Sequence, residues 1–262
     1  MKFEHKGGLR PLIWVRIGIS LAIALAATGV ALAPGYAASW ANLYVVQGLP
    51  GEKVDVSVDG KSVATNLAGA QTAGPFRLSS GKHTVKIERP GKSAMVRTVN
   101  LKPRSSTDAV VHLPSKASGA PVMTTYANDL AGVPSGKASL TVAHTAAVPP
   151  ADILVNGKVL FQNVANGESL RLVVPAASYK VEIVPTGKKS PVVLGPLDLK
   201  VKAGSLNLVY AFGDPSDKTM NVAVHTIAVG AAGSSRPSEV NTGTGGQAAG
   251  FHASPWSRLL AS

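Results

Sequence analysis

The 262-residue chain contains no cysteine. That excludes disulfides, a cysteine nucleophile, thiolate metal ligation and a cysteine-linked lipid anchor. Aromatic residues make up only 5%, and the basic stretch from Lys82 to Arg104 has none of the interleaved aromatics that a stacking surface for single-stranded nucleic acid requires. Beyond residue 33 no apolar run is long enough to span a bilayer. Beyond residue 38 no segment sustains a 3.6-residue apolar period, so helices are not expected there. Catalytic signatures are missing as well. The six histidines (His5, His83, His112, His144, His225, His252) form no HExxH pair. There is no Gly-x-Ser-x-Gly elbow, no Gly-x-x-x-x-Gly-Lys phosphate loop and no Asp-x-Asp-x-Asp-Gly calcium loop. No catalytic residue, metal ligand or cofactor site is predicted.

Acidic residues are also scarce, 14 against 26 Lys and Arg, a formal charge of +12. Part of the excess lies at the start, where Lys2, Lys6, Arg10 and Arg16 face only Glu4. Residues 17–33 then form a 17-residue uncharged run rich in Ala and Leu, followed by Pro34-Gly35 and the small residues Ala37, Ala38 and Ser39. A basic flank, an apolar core and a small-residue exit predict a secretory signal peptide over 1–38, cut after Ala37 or Ala38. The alternative is a retained anchor, for which the run is short of the about 20 residues a span needs. Cleavage leaves 22 basic and 13 acidic residues, a charge that attracts anionic polymers.

With 27 glycines and 18 prolines to punctuate strands and 45% hydrophobic residues to fill cores, the remainder reads as all-β. It also repeats. ANLYVVQGLPGEKVDVSVDGK from Ala41 aligns without a gap on ASLTVAHTAAVPPADILVNGK from Ala138, at an offset of 97. His83–Glu88 then pairs with Tyr179–Val184, Val99–Lys102 with Leu197–Lys200, and Ala109–Leu113 with Asn207–Ala211. In the first copy Val54, Val56 and Val58 alternate with Asp55 and Ser57, a strand with one apolar face. Asp59-Gly60 follows, and Asn156-Gly157 in the second copy; both favour the two-residue type I′ hairpin turn. Roughly seven short strands per copy predict two tandem immunoglobulin-like β-sandwich domains. The predicted organisation is a signal peptide (1–38), repeat 1 (39–130), repeat 2 (131–230) and a flexible Gly/Ser/Ala-rich tail (231–262). In the tail, Val240-Asn241-Thr242-Gly243 lacks the apolar stretch and basic end that a sortase signal needs.

The run Val142–Gly157 of the second copy carries a strand ending in His144, a Pro-rich link, and Asp152 in a strand leading to Asn156-Gly157. This resembles a family of secreted bacterial proteins catalogued as domain-of-unknown-function 4397. The resemblance covers about residues 39–230 and implies repeated sandwich domains and export. It implies no reaction. The first copy departs from the motif, with Gln47 where the second has His144.

Two groups of residues are candidates for function. Lys82, Lys86, Arg89, Lys92, Arg97, Lys102 and Arg104 fall within 23 residues, opposed in sequence only by Glu88; they are the candidate contact for an anionic polymer. His144 and Asp152 flank one loop, and a hydrogen bond between them would fix the imidazole tautomer. The expected function is that of an exported, non-enzymatic cell-envelope or extracellular protein, binding or structural, with an anionic wall polymer or another envelope protein as partner. No specific nucleic acid is expected, and the membrane is touched only through the signal peptide. The alternative is an accessory substrate-binding protein serving a surface enzyme or sortase system.

Overall fold

A computed structural model describes residues 39–232. The predicted signal peptide lies outside the described residues, as does the predicted tail from residue 233 onward. The first two residues assigned to that tail pair with the second repeat: Ala231 bridges Val133, and Ala232 N donates to Val133 O.

Every described element is a strand. Repeat 1 supplies β1 (Trp40–Gly48), β2 (Lys53–Val58), β3 (Lys61–Ala68), β4 (Thr72–Ser79), β5 (Gly81–Glu88), β6 (Met95–Leu101), β7 (Ser106–His112) and β8 (Val122–Ala127). Repeat 2 supplies β9 (Lys137–Ala146), β10 (Ala151–Val155), β11 (Lys158–Val164), β12 (Ser169–Pro175), β13 (Ser178–Pro185), β14 (Leu194–Lys200), β15 (Ser205–Gly213) and β16 (Asn221–Ala228). Each repeat thus has eight strands, one more than the pattern predicts. They form an outer sheet (β3-β2-β5-β6, or β11-β10-β13-β14) and an inner sheet (β4-β1-β7-β8, or β12-β9-β15-β16). The pairs β1–β7 and β9–β15 are parallel.

The expected alternation of apolar residues builds the two cores. Val54, Val56, Val85 and Ile87 of one outer sheet pack on Leu43, Val45 and Ala109 of its inner sheet. Ile153, Val181 and Ile183 pack on Leu140, Val142 and Val209. The hairpin turns fall at equivalent places. Asp59 and Gly60 have φ of 50° and 79°, Asn156 and Gly157 of 50° and 73°, as a type I′ turn requires. The aspartates shared by the two copies serve the backbone. Asp55 Oδ1 accepts Asn66 N and Asp152 Oδ1 accepts Asn163 N, both at 2.8 Å. Each of those asparagines has positive φ beside a register shift in the hairpin, a conformation Asn tolerates.

The repeat alignment needs one correction. His83 faces Val99, whereas its counterpart Tyr179 faces Leu199. Val45 lies beside Ala109, and Val142 beside Val209. The offset therefore rises to 100 over β6/β14 and β7/β15, two more than the sequence match indicates, and is 99 over β8/β16. A two-residue slip leaves every side chain on its own face, so the apolar pattern cannot detect it.

The two inner sheets pack face to face. Val46, Val110 and Tyr126 of repeat 1 form a third core with Ala143, Leu206, Leu208, Tyr210 and Phe212 of repeat 2. Consequently β7 and β15 are buried at every position. The repeats also point the same way. Tyr210 meets Asp108 near the start of β7. Further along, a Cβ on Gly48, which is level with His112, would lie 3.4 Å from that of Phe212. Asn166 Nδ2 spans the seam at that far end, donating to Leu113 O and Ala146 O.

Candidate functional site

The outer sheet of repeat 1 carries most of the predicted basic cluster, but its residues do not form one positive face. On β5, Val85 and Ile87 point inward, so Lys82 and Lys86 point outward. Arg97 shares the inward side of β6 with Met95 and Val99, at the sheet edge. Three of the seven are matched by carboxylates: Lys86 by Glu88 at 2.7 Å, Lys92 by Glu52 at 2.5 Å and Arg89 by Glu52 at 3.6 Å. Glu52 lies 37 and 40 positions before these partners, so a count along the sequence misses it. Lys102 and Arg104 sit beyond β6, in the turn leading to β7.

His144 and Asp152 do not pair. Asp152 accepts Asn163 N and Gly187 N, and so closes two turns. His144 is buried, with a hydrogen-bond partner on neither ring nitrogen. Burial lowers its pKa, so the ring is neutral. Its counterpart Gln47 is satisfied, accepting Leu49 N and donating to Glu52 O. His112, also lowered by burial, bonds Leu113 O and Thr124 Oγ1.

The strongest polar convergence was not anticipated. Asp108, fully buried between the inner sheets, accepts from three side chains. Asn128 Nδ2 donates to Oδ1 at 2.6 Å, Tyr210 Oη to Oδ2 at 2.7 Å, and His225 Nδ1 lies 2.8 Å from Oδ2. The His225 ring lies 4.3 Å from that of Tyr44. Burial first, and then the Asp108 charge, raise the pKa of Tyr44 and push that of Tyr210 well above the usual phenol value. Tyr210 therefore remains a donor. A carboxylate behind an imidazole is also how a general base is oriented; among the described residues no hydroxyl is hydrogen-bonded to Nε2 of His225. The group joins the repeats: Asp108 and Asn128 come from one, Tyr210 and His225 from the other. Its signal in the sequence is an aspartate preceding Ala109-Val110-Val111, and a run LNLVYAF that does not alternate. Strands buried on both faces read that way.

Repeat 2 has one further feature. An apolar cavity of about 140 Å³ lies between its sheets, lined by Val142, Ile183, Leu194, Ala211 and Val222 among others, with Asp198 the charged residue in its wall. The equivalents of Ala211 and Val222 in repeat 1 are Val111 and Met123, larger side chains that pack in its core.

Residues 41–151 match the family described as Domain of unknown function (DUF4397). The match runs from the second residue of β1 through β9 and ends on the first residue of β10, so it takes in the first sandwich except Trp40, and less than half of the chain. It supports the family resemblance read from the sequence, and it brings no reaction or ligand with it. No curated protein matches the chain.

Proposed function

We propose that this chain is an exported, non-enzymatic protein of the cell envelope or extracellular space that acts by binding an anionic wall polymer. One observation carries the reading: charge and burial are segregated. Residues 39–232 hold 20 Lys and Arg against 12 Asp and Glu, and every Lys and Arg among them is at least partly exposed. The buried polar groups Asp108, Asn128 and Tyr210 are occupied in holding two sandwiches together. The product is a stiff basic body, suited to adhesion or scaffolding.

Pull-down on purified cell wall tests this. Retention is expected at low salt and should fall steeply toward physiological ionic strength, where the screening length is about 8 Å. Absence of retention at low salt would overturn the reading. Export is tested on the same material by N-terminal sequencing, which should begin at Ala38 or Ser39; an intact Met1 would favour an anchor. A second reading, an accessory binding protein for an apolar substrate, is favoured by the cavity of repeat 2.

A further inference from the structure

We infer that the polymer is gripped at one pole of the molecule, by lysines that both repeats supply at equivalent positions, and that it is an acidic glycan. This rests on the reading that the protein binds an anionic polymer; what it adds is the surface and the chemical class.

Hydrogen bonds define the pole. In repeat 1, Arg104 N donates to Trp40 O, Ser80 N to Ser39 O and Thr84 N to Asp59 Oδ1. The start of β1, the β2–β3 turn, the start of β5 and the end of β6 therefore lie together. In repeat 2, Gly204 N donates to Lys137 O, Val201 N to Ala177 O and Lys180 N to Asn156 Oδ1, which gathers the equivalent segments. Because β7 and β15 run the same way, the two ends face the same side.

Lys61 and Lys158 follow the two type I′ turns, and Lys102 and Lys202 follow β6 and β14. Arg104 and Lys137 flank them. All six are exposed, and none takes part in an ion pair among the described residues. The acids at this end are occupied: Asp59 accepts His83 and Thr84 N, and Asp198 lies 3.7 Å from Lys180. At the opposite pole Lys53, Lys116, Lys188 and Lys189 are exposed as well, but acids are more numerous there than at the first. Glu52 holds Lys92 and Arg89, Asp214 and Asp217 lie beside Lys218 in sequence, and Asp55, Glu88, Asp152 and Glu168 lie at the same end. The positive excess thus belongs to one end, which keeps Lys102 and Arg104 of the cluster that the sequence suggests and leaves out Lys86, Arg89 and Lys92.

Trp40 gives the partner its class. Its side chain is 49% exposed, beside Arg104 through the backbone bond, with the Arg77 guanidinium 5.2 Å from the ring centre. A flat apolar ring set among cations suits the hydrocarbon face of a sugar whose neighbours carry carboxylate or phosphate. Two lysine sets on one stiff body can engage successive segments of the same chain, which multiplies their effect.

The test is titration of the exported protein at low salt with teichuronic acid, polyphosphate and phosphatidylglycerol vesicles. Lys61→Glu with Lys102→Glu, and Lys158→Glu with Lys202→Glu, should each weaken teichuronic acid binding at least tenfold, and all four together should abolish it. Lys86→Glu with Lys92→Glu, on the outer sheet, should change it less than threefold. Trp40→Ala should weaken teichuronic acid and leave polyphosphate unchanged. If the four-residue variant does not fold by circular dichroism, the Lys→Gln set replaces it. Pole variants that bind like the parent overturn the surface. Polyphosphate or vesicles bound more tightly than teichuronic acid overturn the glycan. A parent protein that binds no anionic polymer at low salt overturns the functional reading itself.

Discussion

The carboxylate of Asp108 lies 2.8 Å from the imidazole of His225, 117 residues away in the other repeat. Tyr210 donates to the same oxygen at 2.7 Å. Leaving a buried carboxylate without its donors is costly. The seam between the inner sheets therefore behaves as core, and the two repeats should unfold together.

Tyr210→Phe tests that coupling. The ring stays in the apolar seam, and one of the two donors to Oδ2 is lost. The expected loss is about 1.5–3 kcal/mol, the range for a hydrogen bond to a charged group. Urea unfolding followed by circular dichroism should show one transition in both proteins, shifted in the variant. Two resolved transitions in the parent would mean that the repeats fold independently.

His83 gives repeat 1 a pH dependence that its counterpart Tyr179 does not give repeat 2. Its Nδ1 lies 2.6 Å from Asp59 Oδ2 and its Nε2 2.8 Å from Ser79 O. Both partners only accept, so both ring nitrogens carry protons. Burial opposes that charge, but the bonds to Asp59 and Ser79 prevail and raise the pKa above 6.5. The His83 bond, with Thr84 N, lowers that of Asp59 below 3.8. The pair contributes fully between those two values. Its contribution is lost as pH rises through the raised His83 value, and as pH falls through the depressed Asp59 value. Tyr179 occupies the equivalent site and donates to Pro175 O without a charge. In His83→Tyr the stability advantage of the parent near about pH 5 should shrink toward about pH 8. Thermal melts across that range measure it; parallel curves for the two proteins would remove His83 as the cause.

The hairpin glycines can be separated from packing. A Cβ on Gly60 or Gly157 meets nothing within 4 Å, yet their φ values are +79° and +73°. Gly60→Val and Gly157→Val should each cost about 1–3 kcal/mol through backbone strain alone. Gly→Asn at either site should cost less, because Asn tolerates that region. Equal losses for Val and Asn in denaturant titrations would contradict a strain origin.

These turns were legible because Asp-Gly and Asn-Gly act locally, and so were the alternating valines of β2. What lay beyond the sequence was set by neighbours distant along the chain. Glu52 reaches both Lys92 and Arg89 only because the β1–β2 and β5–β6 connections meet. The slip of Val99 onto Leu199 leaves facing unchanged, so no pattern records it. The seam did leave a trace in the unbroken apolar character of Leu208–Phe212. A strand packed on both faces reads like any apolar run until its second partner is known.

His144 supplies a prediction of opposite sign to a functional role. Its two unpartnered nitrogens are held in a buried site, and burial depresses its pKa. Removing them by His144→Leu should stabilise the fold by about 1–2 kcal/mol. The gain should widen as pH falls below 6.5, where the unfolded chain takes up a proton that the buried ring resists. Chemical denaturation at two pH values checks both statements. Destabilisation at neutral pH would show that the imidazole makes a contribution which its lack of partners conceals.

The cavity of repeat 2 can be filled with the residue that repeat 1 already uses. Ala211 lines it, and Val111 stands at the equivalent place in repeat 1 beside Met123. Ala211→Val adds two carbons facing Val142 and Ile183, and a β-branched side chain suits a central strand. Burying them should add about 1–1.5 kcal/mol. A gain in urea midpoint without a change in slope would show that the space was vacant packing volume. If the cavity instead serves an apolar ligand, the same variant should lose uptake of a small apolar probe such as xenon or benzene while remaining folded. A destabilised Ala211→Val would mean that the surrounding side chains already close the space, and both the packing account and the apolar-substrate reading would fail together.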